Sequence, residues 1–399
     1  MGLSAALRAA RSGASVTLLE AGLVGSGASS KPGGFVVPHF SVGSPAEVVA
    51  RVGAGGEQLV RMVGNSAARV FELIAETGIQ CDAKQGGWYQ PAHSTSSLRR
   101  IQTLAAEWQD YGLEVDLLDA AETALRTGTK GYCGSWYTPS GGTIHPLKYC
   151  RGLADAAVAA GCHLYENSPV CRVDDCAGHM MVHTAQGCIT ADRVVVCTNG
   201  LSRNLVPSLS DSIVPLKVHQ CATFPLQKEA LERLFSKGEC LSDTRRNLFT
   251  YRLDADGRLI TGALDTLGVS PARAARKMAV RLSEMLRLDE VPMVEFLWSG
   301  VSSCSASRLP ATVVEDGRLI AASSCNARGI ALSTVVGEAL ADFILGGEFK
   351  LLEEKARWMI ASTEIIRSSR CSSGGTVPWH PMGSCRRRRS RSIIAKTEH

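Results

Sequence analysis

No stretch of this chain holds the roughly 20 consecutive apolar residues that span a bilayer, and its first residues lack the basic, apolar and small-residue order of a secretory signal. A membrane partner is therefore not expected, and a cytoplasmic location follows as the default. Cysteine is plentiful, at 14 residues, yet no CxxC pair occurs and no Cys/His group has zinc-ligand spacing. No metal site is expected, and most cysteines read as small buried hydrophobes of a reducing compartment. A net positive charge is also missing from the body of the chain. The net charge is +5, and the segment 386–399 alone holds five Arg and one Lys against one Glu. A nucleic-acid partner is not expected, because the basic charge sits in a Ser/Gly/Arg-rich stretch, 368–399, that reads as a disordered tail.

What is present is an ordinary globular composition. With 399 residues, 45% hydrophobic and 20% charged, the chain can bury a sizeable core, and two domains are expected. Leu3, Ala6, Leu7 and Ala10 recur at the spacing of a buried helix face, with Arg8 and Arg11 on the other side. Gly13 ends that helix, and Ser15-Val-Thr-Leu-Leu19 is a β-rich run closed by Glu20. Helix, glycine turn, strand and acid form the second half of a mononucleotide-binding unit. An acid at the tip of such a strand accepts hydrogen bonds from an adenosine ribose, about 20 residues past a glycine loop. Gly2 stands where the last glycine of GxGxxG would.

Gly25-Ser-Gly-Ala-Ser-Ser-Lys-Pro-Gly-Gly34 follows, so closely spaced small residues let backbone N–H groups approach a pyrophosphate. Amphipathic helices are expected over 47–78 and 96–111, strands and turns over 131–142, and a helix from Ile144-His-Pro-Leu147 to Ala160. Strands are expected at 163–166, 170–173, 179–184 and 189–198, then over 213–224 and 248–262. Helices are expected near 226–235 and 271–286, and at the end a strand, 317–322, and a helix, 330–345. Two loops after strands carry small polar residues: Thr198-Asn-Gly200 and Asn326-Ala-Arg-Gly-Ile-Ala-Leu-Ser-Thr334. The second opens a helix, whose N-terminal N–H groups would stabilise an electron-rich carbonyl beside the charge of Arg328, unless Asn326 simply caps the helix.

In this order and spacing, Gly2, Leu18-Leu-Glu-Ala21, 27–34, Gly142-Thr-Ile-His-Pro-Leu147, 191–200, Trp298-Ser-Gly300, Arg308-Leu-Pro310 and Arg328-Gly-Ile-Ala-Leu-Ser333 resemble the FAD-dependent D-amino-acid and glycine oxidase (DAO) family. Within it the chain looks most like the gamma-glutamylputrescine oxidase branch. The resemblance implies an α/β protein in which a Rossmann-like FAD-binding domain of the glutathione-reductase type (1–45, 143–212, 298–365) is interleaved with a β-rich α+β substrate domain (46–142, 213–297). The family opens with a strand and the full GxGxxG, so the first strand is expected to be missing here. The implied reaction moves a hydride from the amine-bearing carbon of an amine or amino acid to flavin N5. The imine is then hydrolysed, and oxygen or another acceptor takes the electrons.

Carried over by position, Gly2, Glu20, Ala21 and Val170 would meet the adenosine end of FAD, and Ala28, Ser29, Ser30, Lys31, Gly33 and Gly34 the phosphates and flavin edge. Thr198, Asn199 and Gly200 would line the crevice, and Arg328, Gly329, Ile330 and Ala331 the isoalloxazine carbonyl. Tyr251 and Arg252 match a position facing the flavin, where an Arg pairs a substrate carboxylate, and Trp298 would wall the pocket. The residues alone leave two other readings open: an inactive remnant of such an enzyme and an NAD-dependent dehydrogenase.

Overall fold

The helix expected from Leu3, Ala6, Leu7 and Ala10 forms over Gly2–Arg11 and buries all four side chains. Its last turn carries Arg8 and Arg11, which suits the negative end of the helix. The computed structural model describes residues 1–347, except 203–204, 236, 266–268, 306 and 324–325, and two later strands, Arg388–Arg389 and Ser392–Lys396.

The strand Val16–Glu20 is buried along its whole length and lies inside a six-stranded sheet. The order across that sheet is Ala311–Glu315, Leu319–Ser323, Val194–Val196, Ser392–Lys396, Val16–Glu20 and His163–Tyr165. All neighbours run parallel except the antiparallel pair Ala311–Glu315 and Leu319–Ser323. Successive side chains alternate between two cores. Val16, Leu18 and Val195 face the helices Gly2–Arg11, Pro146–Ala159 and Gly329–Ile344. Leu19, Val194 and Val196 face Val170, Met180, Val182 and Ala191 of a small antiparallel sheet. Both faces are covered, as a parallel sheet requires. Gly337 lets two of the helices touch, since a Cβ there would lie 2.4 Å from the carbonyl oxygen of Met1.

Two expectations are corrected here. The place between Val16–Glu20 and Val194–Val196, where a strand was expected to be missing, is taken by Ser392–Lys396, pairing in parallel on both sides. That segment was read as part of a disordered tail because basic residues surround it; Ile393 and Ile394 are its only sign of a strand. The rest of 368–399, apart from Arg388–Arg389, lies outside the described residues. The run 189–198 also divides into Gly187–Ala191 and Val194–Val196, because the chain passes there from the antiparallel sheet to the parallel one.

A second, eight-stranded sheet has the order Val294–Ser305, Ile213–Pro225, Arg258–Leu264, Thr250–Leu253, Cys240–Ser242, Trp88–Pro91, Ser135–Thr138 and Asp116–Leu118. The domain division expected at residue 298 falls within the continuous strand Val294–Ser305. Helix Pro271–Leu286 packs Leu282 and Leu286 against Leu241, Phe249, Tyr251 and Leu259 on one face of this sheet. The other face meets the glycine-rich segment around Lys31–Gly34. The helix expected at 226–235 shrinks to the single turn Lys228–Leu231, whereas Pro271–Leu286 and Gly329–Ile344 form within a residue of expectation. Among the described residues no helix is long and apolar enough to cross a membrane.

Candidate active site

Three loops leave the carboxyl ends of parallel strands on the same edge of the six-stranded sheet, where such folds bind ligands. The first follows Val16–Glu20. Glu20 is buried, and its Oε1 accepts a hydrogen bond from the Gly22 amide at 3.2 Å. Ala21 comes next. The Glu20 carbonyl accepts from Ser168 N at 2.8 Å, which brings the buried Val170, two residues on, beside the same strand end. Gly2 is buried at the start of its helix.

The second loop is Thr198-Asn-Gly200. The Thr198 hydroxyl meets that of Ser202. Asn199, held at φ +52°, accepts from the hydroxyls of Ser303 and Ser323, the latter at 2.7 Å. Its carboxamide oxygen thus ties the end of Val294–Ser305 to the end of Leu319–Ser323.

The third is the turn before helix Gly329–Ile344. Asn326 does not cap that helix. Its Oδ1 accepts from Ser305 N at 2.9 Å and its Nδ2 donates to Leu309 O at 2.9 Å. Arg328 occupies the cap position, and its side chain makes no capping hydrogen bond to the first turn. The first turn, Gly329, Ile330 and Ala331, therefore keeps its positive end available to an electron-rich group. Asn326 and Ala327 both hold positive φ, +36° and +62°.

The glycine-rich segment lies against the eight-stranded sheet. Ala28–Ser30 makes one 3-10 turn. The Lys31 carbonyl accepts from Trp298 Nε1 at 2.9 Å, and Gly300 makes room for the Lys31 side chain, since a Cβ there would lie 2.5 Å from its Cβ. Gly34 is obligatory. Its φ is +86°, and a Cβ would stand 2.2 Å from the Ile144 carbonyl and 2.7 Å from Arg252 Nη2. Gly33 approaches the Gln220 carboxamide, since a Cβ there would lie 3.1 Å from its Oε1.

Arg252 is buried, donating from Nε to Gly33 O and from Nη1 to Leu253 O at 3.1 Å. Burial pushes its pKa down to about 10. Tyr251 was expected to share this site and does not, because neighbours along a strand face opposite sides. Its ring stacks on Phe235 at 4.7 Å, its hydroxyl donates to Thr127 O, and burial raises its pKa. It is a core residue.

Arg328 lies over the Trp88 ring, 5.6 Å from its centroid, with Nη2 3.4 Å from His39 Nε2. Its Nε is buried without a partner among the described residues, and burial pushes its pKa down to about 10. His39 sits against Trp88 and Trp136, with ring centroids 4.5 and 5.5 Å away. Burial, and then the charge of Arg328, hold its pKa well below 6.5. Both guanidinium groups act on the thiol of Cys240, which burial nonetheless pushes up to about 12. Among the described residues neither Arg252 nor Arg328 forms an ion pair with a carboxylate. A buried arginine and a half-buried one without acids, glycines that admit a close approach, and a helix start without a side-chain cap fit a flavin nucleotide and an anionic ligand.

Gln220, His39, Trp88 and Trp136 were not singled out from the sequence. The alternation along Ile213–Pro225 marks which face Gln220 shares, but no motif surrounds it. His39 and the two tryptophans are far apart in the chain and meet only in the fold.

Comparison with known proteins agrees with this geometry. The model of the family described as FAD dependent oxidoreductase (DAO) matches residues 1–343. A probable oxidoreductase, OrdL, of Haemophilus influenzae is 28% identical over 365 residues, covering 88% of this chain and 82% of that protein. Gamma-glutamylputrescine oxidoreductase of Escherichia coli is 29% identical over 352 residues, covering 86% and 81%. The crystal structure of glycine oxidase from Geobacillus kaustophilus superposes with a TM-score of 0.72 at 22% identity, covering 87% of this chain and 92% of that one. The chain belongs to the DAO family of FAD-dependent oxidoreductases.

Proposed function

We propose that this chain oxidises the carbon–nitrogen bond of an amine that also carries a carboxylate, an amino acid in the broad sense. The observation that carries the reading is Arg252. Its guanidinium is buried on the sheet face that meets Gly33 and Gly34, and among the described residues it is bonded there to carbonyl oxygens alone. A charge so placed calls for an anion of planar, two-oxygen shape. Relatives named for gamma-glutamylputrescine and for glycine support it, since both of those compounds join an amine to a carboxylate.

In this reading Gly2, Glu20, Ala21 and Val170 hold the adenosine end of FAD. Ala28–Gly34 would hold the pyrophosphate and the ring edge, and Thr198–Gly200 would border the crevice. FAD supplies the two-electron acceptor. Arg252 anchors the substrate carboxylate, so the amine-bearing carbon is presented in one orientation. Arg328 and the first-turn amides of Gly329–Ala331 place positive potential where negative charge grows during reduction. Trp298, tied to Lys31, and Trp88 keep water from the ring. The imine released would hydrolyse, and oxygen or another acceptor would take the electrons.

The test is anaerobic bleaching of the flavin absorbance of the purified holoprotein. An amino acid should bleach it and the matching amine without a carboxylate should not. Bleaching by both alike, or by no member of a panel of primary and secondary amino acids, overturns the proposal.

A further inference from the structure

We infer that Gln220 is a substrate-binding residue that accepts a hydrogen bond from the amine of the substrate and so sets the preference for amino acids over plain carboxylates. This rests on the oxidase reading above. Gln220 is paired with Gly262 on one neighbouring strand and with Trp298 on the other. Arg252 is paired with Ile260, two residues from Gly262 on the same strand. Strand alternation therefore puts Gln220, Gly262, Trp298, Ile260 and Arg252 on one sheet face, the face that meets Lys31–Gly34.

Gly262 leaves a gap between Gln220 and Arg252, and the carboxamide leans over it. A Cβ on Gly262 would lie 2.5 Å from Gln220 Oε1, and one on Gly33 3.1 Å from the same atom. Two missing side chains thus make the space the carboxamide occupies, between the sheet and the glycine-rich segment. There Oε1 is buried and has no hydrogen-bond partner among the described residues. Its neighbour His219 faces the other side of the sheet, with Nε2 3.3 Å from Asp265.

A buried carbonyl oxygen without a donor is costly, so an N–H must reach it when the site is in use. Arg252 already answers the carboxylate. The remaining donor on an amino acid is its amine, and a neutral carboxamide can take that N–H without locking the amine as an ammonium ion. An N–H of the flavin ring is the other possible donor, and the experiment separates the two.

The probes are 2-aminoisobutyrate, which has no hydrogen on its amine-bearing carbon and so cannot be oxidised, and isobutyrate, the same acid without the amine. Both are titrated calorimetrically into the holoprotein and into the Gln220→Met and Gln220→Leu variants, with bound FAD measured in each. The expected result is that the wild type prefers the amino acid, and that both variants lose about tenfold of that preference. Isobutyrate affinity should stay within about twofold and FAD content unchanged. An unaltered preference in either folded variant overturns the inference. So does an equal loss for both probes, or loss of FAD with the preference intact, which assigns Gln220 to the flavin. If the wild type binds neither probe, the amino-acid reading itself falls and this inference with it.

Discussion

Arg328 and His39 form a matched pair. The Nδ1 of His39 is turned to the Phe40 carbonyl, which makes it the donor, so Nε2 is the acceptor that faces Arg328 Nη2 at 3.4 Å. The ring must stay neutral for this arrangement, and burial together with Arg328 keeps it so. A histidine placed to hold a guanidinium against Trp88 has consequences for stability that can be measured.

The folded-state pKa of His39 lies below 6.5, so in acid the unfolded chain binds a proton at this residue that the folded chain refuses. Its contribution is fully present above pH 6.5 and is lost as pH falls below it, at up to about 1.4 kcal/mol per pH unit. Urea denaturation followed between about pH 7.5 and 5.5 should show this slope in the wild type and a shallower one in His39→Gln. His145, also lowered by burial and by Lys148, keeps its own slope in both proteins. Equal slopes for the two would refute the assignment.

Arg252→Met removes the charge proposed to receive the substrate carboxylate and keeps most of the side-chain volume. We expect kcat/KM for an amino-acid substrate to fall by about 2–4 kcal/mol, roughly 30- to 1000-fold, mainly through KM. Bound FAD, measured by absorbance, should remain within about twofold of wild type. A variant that keeps full kcat/KM excludes Arg252 from the substrate site.

Tyr251→Phe is expected to leave catalysis alone. The hydroxyl is occupied by Thr127 O within the core, on the face of the strand away from Arg252. Stability should drop by about 1 kcal/mol for one lost buried hydrogen bond, with kcat/KM within about twofold. A large fall in kcat at unchanged stability would return Tyr251 to the site.

Gly34→Ala is expected to be severe although it adds one methyl group. The new Cβ needs a left-handed backbone and would collide with the Ile144 carbonyl at 2.2 Å. Chemical denaturation should show a loss of about 2 kcal/mol or more, accompanied by weaker retention of FAD.

Ile394→Pro probes the strand Ser392–Lys396. Residue 394 is opposite Leu18 on one side and Val195 on the other. Proline there removes an N–H from the middle of a parallel sheet and should cost about 3 kcal/mol or more, seen as a lowered Tm. An unchanged Tm would show that this segment does not complete the sheet.

Much of the site was legible before any coordinates, and the reasons are local. Closely spaced glycines, an acid after a β-rich run and an arginine before a helix each act through backbone geometry within a few residues. Gly33 and Gly34 accordingly stand in one tight segment, Glu20 at a strand end and Arg328 at a helix start. Tyr251 was misplaced because two adjacent strand residues cannot face the same side, and the sequence does not say which one faces in. Pairing fixes that: Arg252 opposite Ile260 faces the glycines, so Tyr251 goes to the core. Asn326 resembled a helix cap, but Ser305 and Leu309, distant in the chain, claim its side chain.

The sequence by itself determined most of the elements, the family and the glycine-rich and helix-opening loops, because helix faces, strand alternation and glycine spacing are properties of neighbouring residues. Only the tertiary structure decided that Ser392–Lys396 lies between Val16–Glu20 and Val194–Val196, and that Gln220 and Arg252 share a face across Gly262. Those relationships depend on strand order and register. They are set by packing between segments that the chain brings together from far apart.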